Sequence, residues 1–132
     1  GRMLSQAGQA PDLAVSSSAL RARATLQLAV RAGRWHCPIR IDNALYGCSS
    51  NSIVNWIRVL DENPARLLLT GHEPTWSELA GSLIGDANLR IPTATMLRID
   101  FGIQSWGSIG HGRGQLKWLM PPKLVCGPRD RK

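Results

Sequence analysis

Apolar residues along this chain form short continuous runs that alternate with stretches of helical spacing. Residues 67–69 are all leucine, a run typical of a buried strand, and His72 follows shortly after them. The next stretch has apolar residues at i, i+3, i+4, i+7 and i+8, namely Trp76, Leu79, Ala80, Leu83 and Ile84. Thr75 and Glu78 fit a capping box at its start. The pattern predicts a strand whose carboxyl end places His72 beside the N-terminus of a helix.

A second segment has the same order of a strand, a polar turn and a helix. Residues 12–16 read as a short strand, and serines lead into a helix that begins near Ala19, with Ser18 as its predicted N-cap. This helix is predicted to end near Gly33. Arg21 falls in its first turn, where the helix dipole disfavours a cation. An arginine in that position either extends into solvent or serves an anion bound at the same helix N-terminus.

The rest of the chain continues this alternation of strands and helices and then, from about residue 96, has the pattern of antiparallel strands. The first eight residues look like the second half of a helix that a glycine stops, and residues 38–41 read as a strand. A further helix is predicted from about Ser50, with a buried side formed by Ile53, Val54, Trp56, Ile57 and Leu60. Residues 96–101 and 115–120 alternate like an antiparallel pair. The predicted fold is three-layer α/β, with a mostly parallel sheet, helices on both faces and an antiparallel strand pair at the C-terminal end.

A histidine at the carboxyl end of a strand can hydrogen-bond an anionic ligand. The unpaired N–H groups and positive dipole end of the adjacent helix strengthen that attraction. From its position alone, His72 is more often a loop histidine without a ligand. Arg21 at the other predicted helix N-terminus changes this balance, because two such sites now offer phosphate-binding groups.

Composition limits the class of protein. A chain of 132 residues with 43% apolar content fits one domain with a single core. The formal net charge is +7, but the arginines are scattered without a long run, which argues against a nucleic-acid partner. No apolar run reaches the roughly eighteen residues of a membrane span. Three cysteines at irregular spacing argue against a disulfide framework and a zinc site, so a cytoplasmic location is expected.

Several short motifs occur in an order that matches one known family. They are Ser-x-x-x-Arg-Ala-x-x-Thr at Ser17, Arg21, Ala22 and Thr25, then Gly71-His72-Glu73-Pro74, Pro92-Thr93-Ala94 and Pro121-Pro122-Lys123. Together they resemble the histidine phosphatase superfamily, whose fold is phosphoglycerate-mutase-like, and within it the small SixA-type phosphohistidine phosphatases. The resemblance extends from about the first residue to Lys123.

The resemblance implies a phosphatase that uses no metal and no cofactor and forms a covalent phosphohistidine intermediate. Arg21 would hold phosphoryl oxygens, while His72 would hydrogen-bond the same group and stabilise charge in the transition state. The backbone N–H of Glu73 would be a further donor. Ser17, counted with the substrate-binding residues, would mainly orient the arginine turn together with Thr25. The substrate would be a phosphorylated protein, such as a histidine-phosphorylated signalling domain, or a small phosphoester, and the oligomeric state stays open.

The chain departs from the family at its start. In the family the first strand ends in an Arg-His-Gly triplet whose histidine is the nucleophile, and no such triplet occurs in these 132 residues. We therefore expect residues 1–125 to be an N-terminally truncated histidine phosphatase-like domain that is inactive in this form. Residues 126–132 are expected to be a disordered tail.

A second departure concerns the proton donor. Larger family members carry a glutamate in a Leu-x-Glu context, whereas this chain has Leu45-Tyr46-Gly47. A phosphorylated imidazole is already a good leaving group, so the missing carboxylate favours the phosphohistidine branch, with Asp42 and Glu73 as remaining candidate donors. Two alternatives stay open: a catalytically inactive phosphate-binding module and a small-molecule phosphomonoesterase.

Overall fold

The computed structural model describes residues 1–71, 75–89, 91 and 95–121, which fall into two compact units. The first unit contains α1 (Arg2–Gln6), β1 (Leu13–Ser17), α2 (Leu20–Gly33), β2 (Ile39–Asp42), a 3-10 turn (Asn43–Leu45) and β3 (Leu67–Thr70). The second contains α3 (Ser50–Arg58), α4 (Thr75–Leu83), β4 (Met96–Phe101), a 3-10 turn (Trp106–Ser108) and β5 (Gly114–Met120). The predicted α/β fold is confirmed, with a parallel three-stranded sheet flanked by helices and a separate antiparallel pair near the C-terminus.

Strand β1 forms the centre of the parallel sheet. The strand order is β2-β1-β3, and all five residues of β1 are buried. Its first residues are apolar or small because both faces of a parallel strand are covered. Ser17 pairs with Asp42 of β2, and Ser16 pairs with Thr70 of β3. The carboxyl ends of all three strands therefore meet at one edge of the sheet.

Helix α2 ends at Gly33, as its sequence predicts. The left-handed residue that terminates the helix is Arg34, with φ 54° and ψ 45°. Gly33 is required for close packing instead: a Cβ there would lie 2.3 Å from Nε1 of Trp35 and 2.7 Å from the carbonyl oxygen of Gly1. The Ser5 hydroxyl donates to the Gly33 carbonyl at 2.6 Å and accepts from Trp35 Nε1 at 2.9 Å. This contact fixes α1 on the end of α2.

The prediction that Ser18 caps α2 is wrong. The N-cap is Ala19, and no side chain among the described residues caps this helix. Ser18 donates its hydroxyl to Oδ1 of Asn43 instead, at 2.6 Å. The reason is the parallel register: Ser17 pairs with Asp42, so the turn after β1 lies beside the turn after β2, and the Ser18 hydroxyl meets the side-chain oxygen of Asn43 there.

In the second unit, the long connection between β4 and β5 packs against helices. Arg58 of α3 donates from Nε to the Ile109 carbonyl at 2.9 Å, and the Gly112 N–H donates to the carbonyl of Ser82 in α4 at 3.0 Å. The strand pair itself has an irregularity between Arg98 and Ile99, so the predicted alternation does not run unbroken. The connection is thus tied at two points to the helices of its own unit.

The remaining composition-based expectations concern membranes and thiols. Within the described ranges no helix combines the length and apolar character that crossing a membrane would need. Cys37 and Cys48 are both half-buried, while Cys126 lies outside the described residues, as does the predicted tail at 126–132. Desolvation by burial raises the pKa of the Cys37 thiol above its ordinary value.

We expect Gly33→Ala to destabilise the protein by about 1–3 kcal/mol, because the new methyl group overlaps Trp35 and the Gly1 carbonyl. A loss of stability would support the packing argument, because replacing glycine with alanine inside a helix ordinarily raises stability. Chemical denaturation measures the effect, with the exposed neighbour substitution Ala32→Ser as control. A Gly33→Ala variant as stable as the parent would contradict the packing argument.

Candidate functional site

The carboxyl edge of the parallel sheet is the candidate site. The order of the strands reverses at β1: the chain goes from β1 to β2 on one side, and then crosses to β3 on the other side of β1. In open α/β sheets, ligands bind outside the carboxyl ends of the strands at such a reversal. Ser17, Asp42 and Thr70 end the three strands at this edge.

The N-terminus of α2 opens onto this edge without a cap. Its N-cap residue is Ala19, its first turn contains no acidic residue, and Arg21 is its second residue. The first N–H groups of a helix have no intrahelical partner and carry partial positive charge, so an uncapped helix start attracts anions. Arg21 is exposed and has no ion-pair partner in the part of the chain that the structure describes. A guanidinium in such a position can bind two oxygens of an oxyanion at once.

Serines fix the turn that carries Arg21. Ser17 is 1% exposed, and its hydroxyl oxygen accepts from the Ala19 N–H at 3.4 Å. Ser16 is fully buried and donates its hydroxyl to the Ser17 carbonyl at 2.8 Å. Both hydroxyls satisfy local backbone groups. The buried Ser17 hydroxyl thus contacts the backbone of the turn, and its role in orienting Arg21 stays a prediction.

A threonine ties β3 to the same helix turn. The hydroxyl of Thr70, the last residue of β3, donates to the Ala22 carbonyl at 3.2 Å. Thr25 likewise donates its hydroxyl to the Arg21 carbonyl at 2.9 Å. The segment of chain that leads toward His72 is therefore attached to the first turns of α2. His72 and Glu73 themselves lie outside the described residues, so their predicted convergence with Arg21 stays a prediction.

Two acidic residues of the first unit, Asp42 and Glu62, have partners within the described residues. Asp42 accepts from the Ala44 N–H at 2.9 Å and caps the 3-10 turn that follows β2. Glu62 forms an ion pair with Arg40 of β2. Neither carboxylate is paired with Arg21. Within the described ranges, no group of three or more histidine, cysteine, aspartate or glutamate residues is placed to hold a metal ion.

Asn43 is the residue of this edge that sequence reasoning missed. Its side-chain oxygen accepts from Ser18 and so joins the turn after β1 to the turn after β2. The signal was present in the sequence as a polar residue directly after the predicted strand. Its partner was not readable, because the pairing of Ser17 with Asp42 depends on the sheet register.

Three solved structures are similar in fold to this chain. The structure of a protein assigned as the phosphohistidine phosphatase SixA of Agrobacterium tumefaciens matches with a TM-score of 0.74 and 24% identity, over 91% of this chain and 73% of that one. One from Nakamurella multipartitia, also assigned as SixA, matches with a TM-score of 0.72 and 20% identity, over 92% and 80% of the two chains. The protein histidine phosphatase SixA complexed with tungstate matches with a TM-score of 0.77 and 20% identity, over 94% and 77%.

These likenesses show a shared fold. The chain has the phosphoglycerate-mutase-like fold of the SixA structures, as the motif resemblance implied. No protein-family model matches the sequence, and no curated protein does.

We expect Thr70→Val to lower stability by about 0.5–1.5 kcal/mol, because it removes the hydrogen bond to Ala22 at a half-buried position. Thr25→Val is the matched control, since Thr25 is exposed and water replaces its hydroxyl. Urea denaturation of the two variants measures the difference. Equal effects of both substitutions would show that the β3 attachment contributes nothing beyond an exposed contact.

Proposed function

We propose that the carboxyl edge of the sheet binds a phosphoryl group between Arg21 and His72. The observation that supports this most directly is the uncapped start of α2, with Arg21 in its first turn and no acidic partner among the described residues. The shared fold adds to it, because one structure of that fold is a complex with tungstate, a tetrahedral oxyanion like phosphate. In this proposal His72 donates to the same phosphoryl oxygens, and the Glu73 N–H is a further donor.

We further propose that the intact domain hydrolyses phosphohistidine on a protein. A histidine of an Arg-His-Gly segment would attack phosphorus and break its bond to the substrate histidine, whose imidazole leaves; water would then hydrolyse the phosphohistidine intermediate to orthophosphate and free histidine. Arg21 would hold the equatorial oxygens in place, since its planar guanidinium matches two oxygens at once. His72 would stabilise the charge that gathers on them in the transition state. These roles, with the Glu73 N–H as donor and Ser17 as support, are parts of one proposal.

The substrate preference rests on the leaving group. The segment Leu45-Tyr46-Gly47 offers no carboxylate, and the nearby Asp42 is engaged as the cap of a 3-10 turn. An alkoxide leaving group needs a proton from such an acid, while a phosphorylated imidazole needs little. The edge is therefore better suited to phosphohistidine than to a sugar phosphate. The odd number and irregular spacing of Cys37, Cys48 and Cys126 fit a reducing compartment, and we include a cytoplasmic location in the proposal.

Orthophosphate, vanadate or tungstate should raise the melting temperature, because a ligand that binds only the folded form stabilises it. Replacing Arg21 with alanine should abolish most of this rise. Arg31→Ala, on the last turn of the same helix, is the control and should keep it. Differential scanning fluorimetry against anion concentration measures the effect. An undiminished rise in Arg21→Ala would mean that the anion binds elsewhere.

The 132-residue chain should show no turnover, because positioned charge cannot replace a nucleophile in a covalent mechanism. A version extended upstream by a strand ending in Arg-His-Gly should hydrolyse protein-bound phosphohistidine faster than an aryl phosphate. Phosphate release from both substrates by both versions is the measurement. Comparable turnover by the short chain would place the nucleophile elsewhere.

A phosphate-binding module without catalysis is the second candidate function. It keeps the proposed contact between Arg21 and a phosphoryl group but needs no nucleophile. Anion binding that depends on Arg21, together with inactivity of the extended version, would support it. A small-molecule phosphomonoesterase would instead reveal itself by preferring the aryl phosphate.

A further inference from the structure

The side of α2 that faces away from the sheet has an unusual composition. We call the outer face of α2 the five exposed residues Leu20, Ala24, Gln27, Leu28 and Arg31. At about 100° per residue they lie opposite the buried positions of the same helix. Leu20 is 73% exposed and Leu28 is 64% exposed. A solvent-facing helix side ordinarily carries charged residues of both signs, so two leucines at its centre require an explanation.

Charge on this helix has one sign. The fourteen residues of α2 contain no aspartate and no glutamate, and the outer face is bordered by Arg21 at one end and includes Arg31 at the other. Without interspersed acids, the two guanidinium groups leave a positive field along the face. An acidic partner surface complements that field and speeds encounter.

The side chains of Leu20, Ala24 and Leu28 form a surface whose shape could fit another helix. These residues are spaced i, i+4 and i+8, so they form one ridge along the helix, with the small Ala24 side chain as a notch between two leucines. A single apolar side chain of a partner helix fits such a notch, since helices pack by placing side chains of one between those of the other. The face is thus suited to a helix and not only to a charged loop.

The outer face is continuous with the proposed phosphate site. Leu20 directly precedes Arg21, and the face runs from there along α2 for about 16 Å to Arg31. A macromolecule whose phosphorylated side chain reaches Arg21 has its neighbouring surface over these residues. A small phosphoester would leave the same leucines in water.

We propose that the outer face of α2 docks the phosphorylated protein, through an acidic amphipathic helix of that protein lying along Leu20, Ala24 and Leu28. The inference rests on the proposed phosphoryl site at Arg21, and it names the partner as a helical, acidic protein surface. Arg31 pairs with an acidic residue of that helix at the far end. A flat anionic membrane suits the face less well, because the face has no aromatic residue and only one basic residue beyond Arg21.

The probe is a stapled acidic helical peptide that carries a stable phosphohistidine analogue. The same peptide without the phosphoryl group and orthophosphate alone are the comparison ligands. Fluorescence anisotropy gives the peptide affinity, and the melting temperature reports orthophosphate binding. Leu28→Glu and Arg31→Glu should each weaken peptide binding about tenfold or more, because each removes an anchor and adds repulsion. Val59→Glu is the matched control: Val59 is 74% exposed, lies in the other unit, and should change affinity less than about twofold.

The arms of the experiment separate the two proposals. Orthophosphate should stabilise Leu28→Glu and Arg31→Glu as well as it stabilises the parent chain, whereas Arg21→Ala should lose that effect. If orthophosphate stabilises nothing while the outer-face variants still lose the peptide, the phosphoryl site is wrong and the docking surface stands. The docking proposal is overturned if the parent chain does not bind the peptide or if both outer-face variants bind it unchanged. The docking proposal is also overturned if phosphatidylserine vesicles displace the peptide from the parent chain and bind Leu28→Glu much more weakly, because the face would then bind a membrane.

Discussion

The burial of β1 on both faces and along both edges is the constraint on which the first unit depends. A strand with all five residues buried must pair every backbone group, and it does so in parallel with one strand on each side. Parallel pairing places the strand ends together and requires crossovers, which is why helix α2 returns across the sheet. The carboxyl edge follows from this arrangement before any side chain with chemistry is considered.

The start of α2, where we propose that an anion binds, lacks the stabilisation that a side-chain cap would give. A side-chain cap ordinarily contributes about 1 kcal/mol to a helix, and α2 has none among the described residues. Serine is abundant in the turn, yet Ser16, Ser17 and Ser18 all satisfy other groups. An anion at this position would supply the missing stabilisation. The turn is rigid through its serines and still open toward solvent at Arg21.

The spacing of apolar residues predicted the helices and strands whose position depends mainly on burying one apolar face. The end of α2 at Gly33 and both ends of β4 agree with prediction because apolar spacing and glycine mark them. The cap of α2 was mispredicted, since it depends on a contact between Ser18 and Asn43 that only sheet register creates. The reason for Gly33 was likewise hidden, because it lies in the approach of Trp35 and Gly1 and not in a turn. The position of Arg21 in the first turn of α2 agrees with the sequence prediction, and its role in binding stays a proposal.

The outer side of β3 bears on how the protein behaves at high concentration. Among the described strands β3 pairs only with β1, so its outer side is a sheet edge, and three of its four residues are leucine. The opposite edge strand, β2, carries Arg40 in an ion pair, a charge that discourages further pairing. The leucine edge has no comparable deterrent of its own. Among the described strands, β3 is therefore the one whose backbone is most open to pairing with a second copy of this chain.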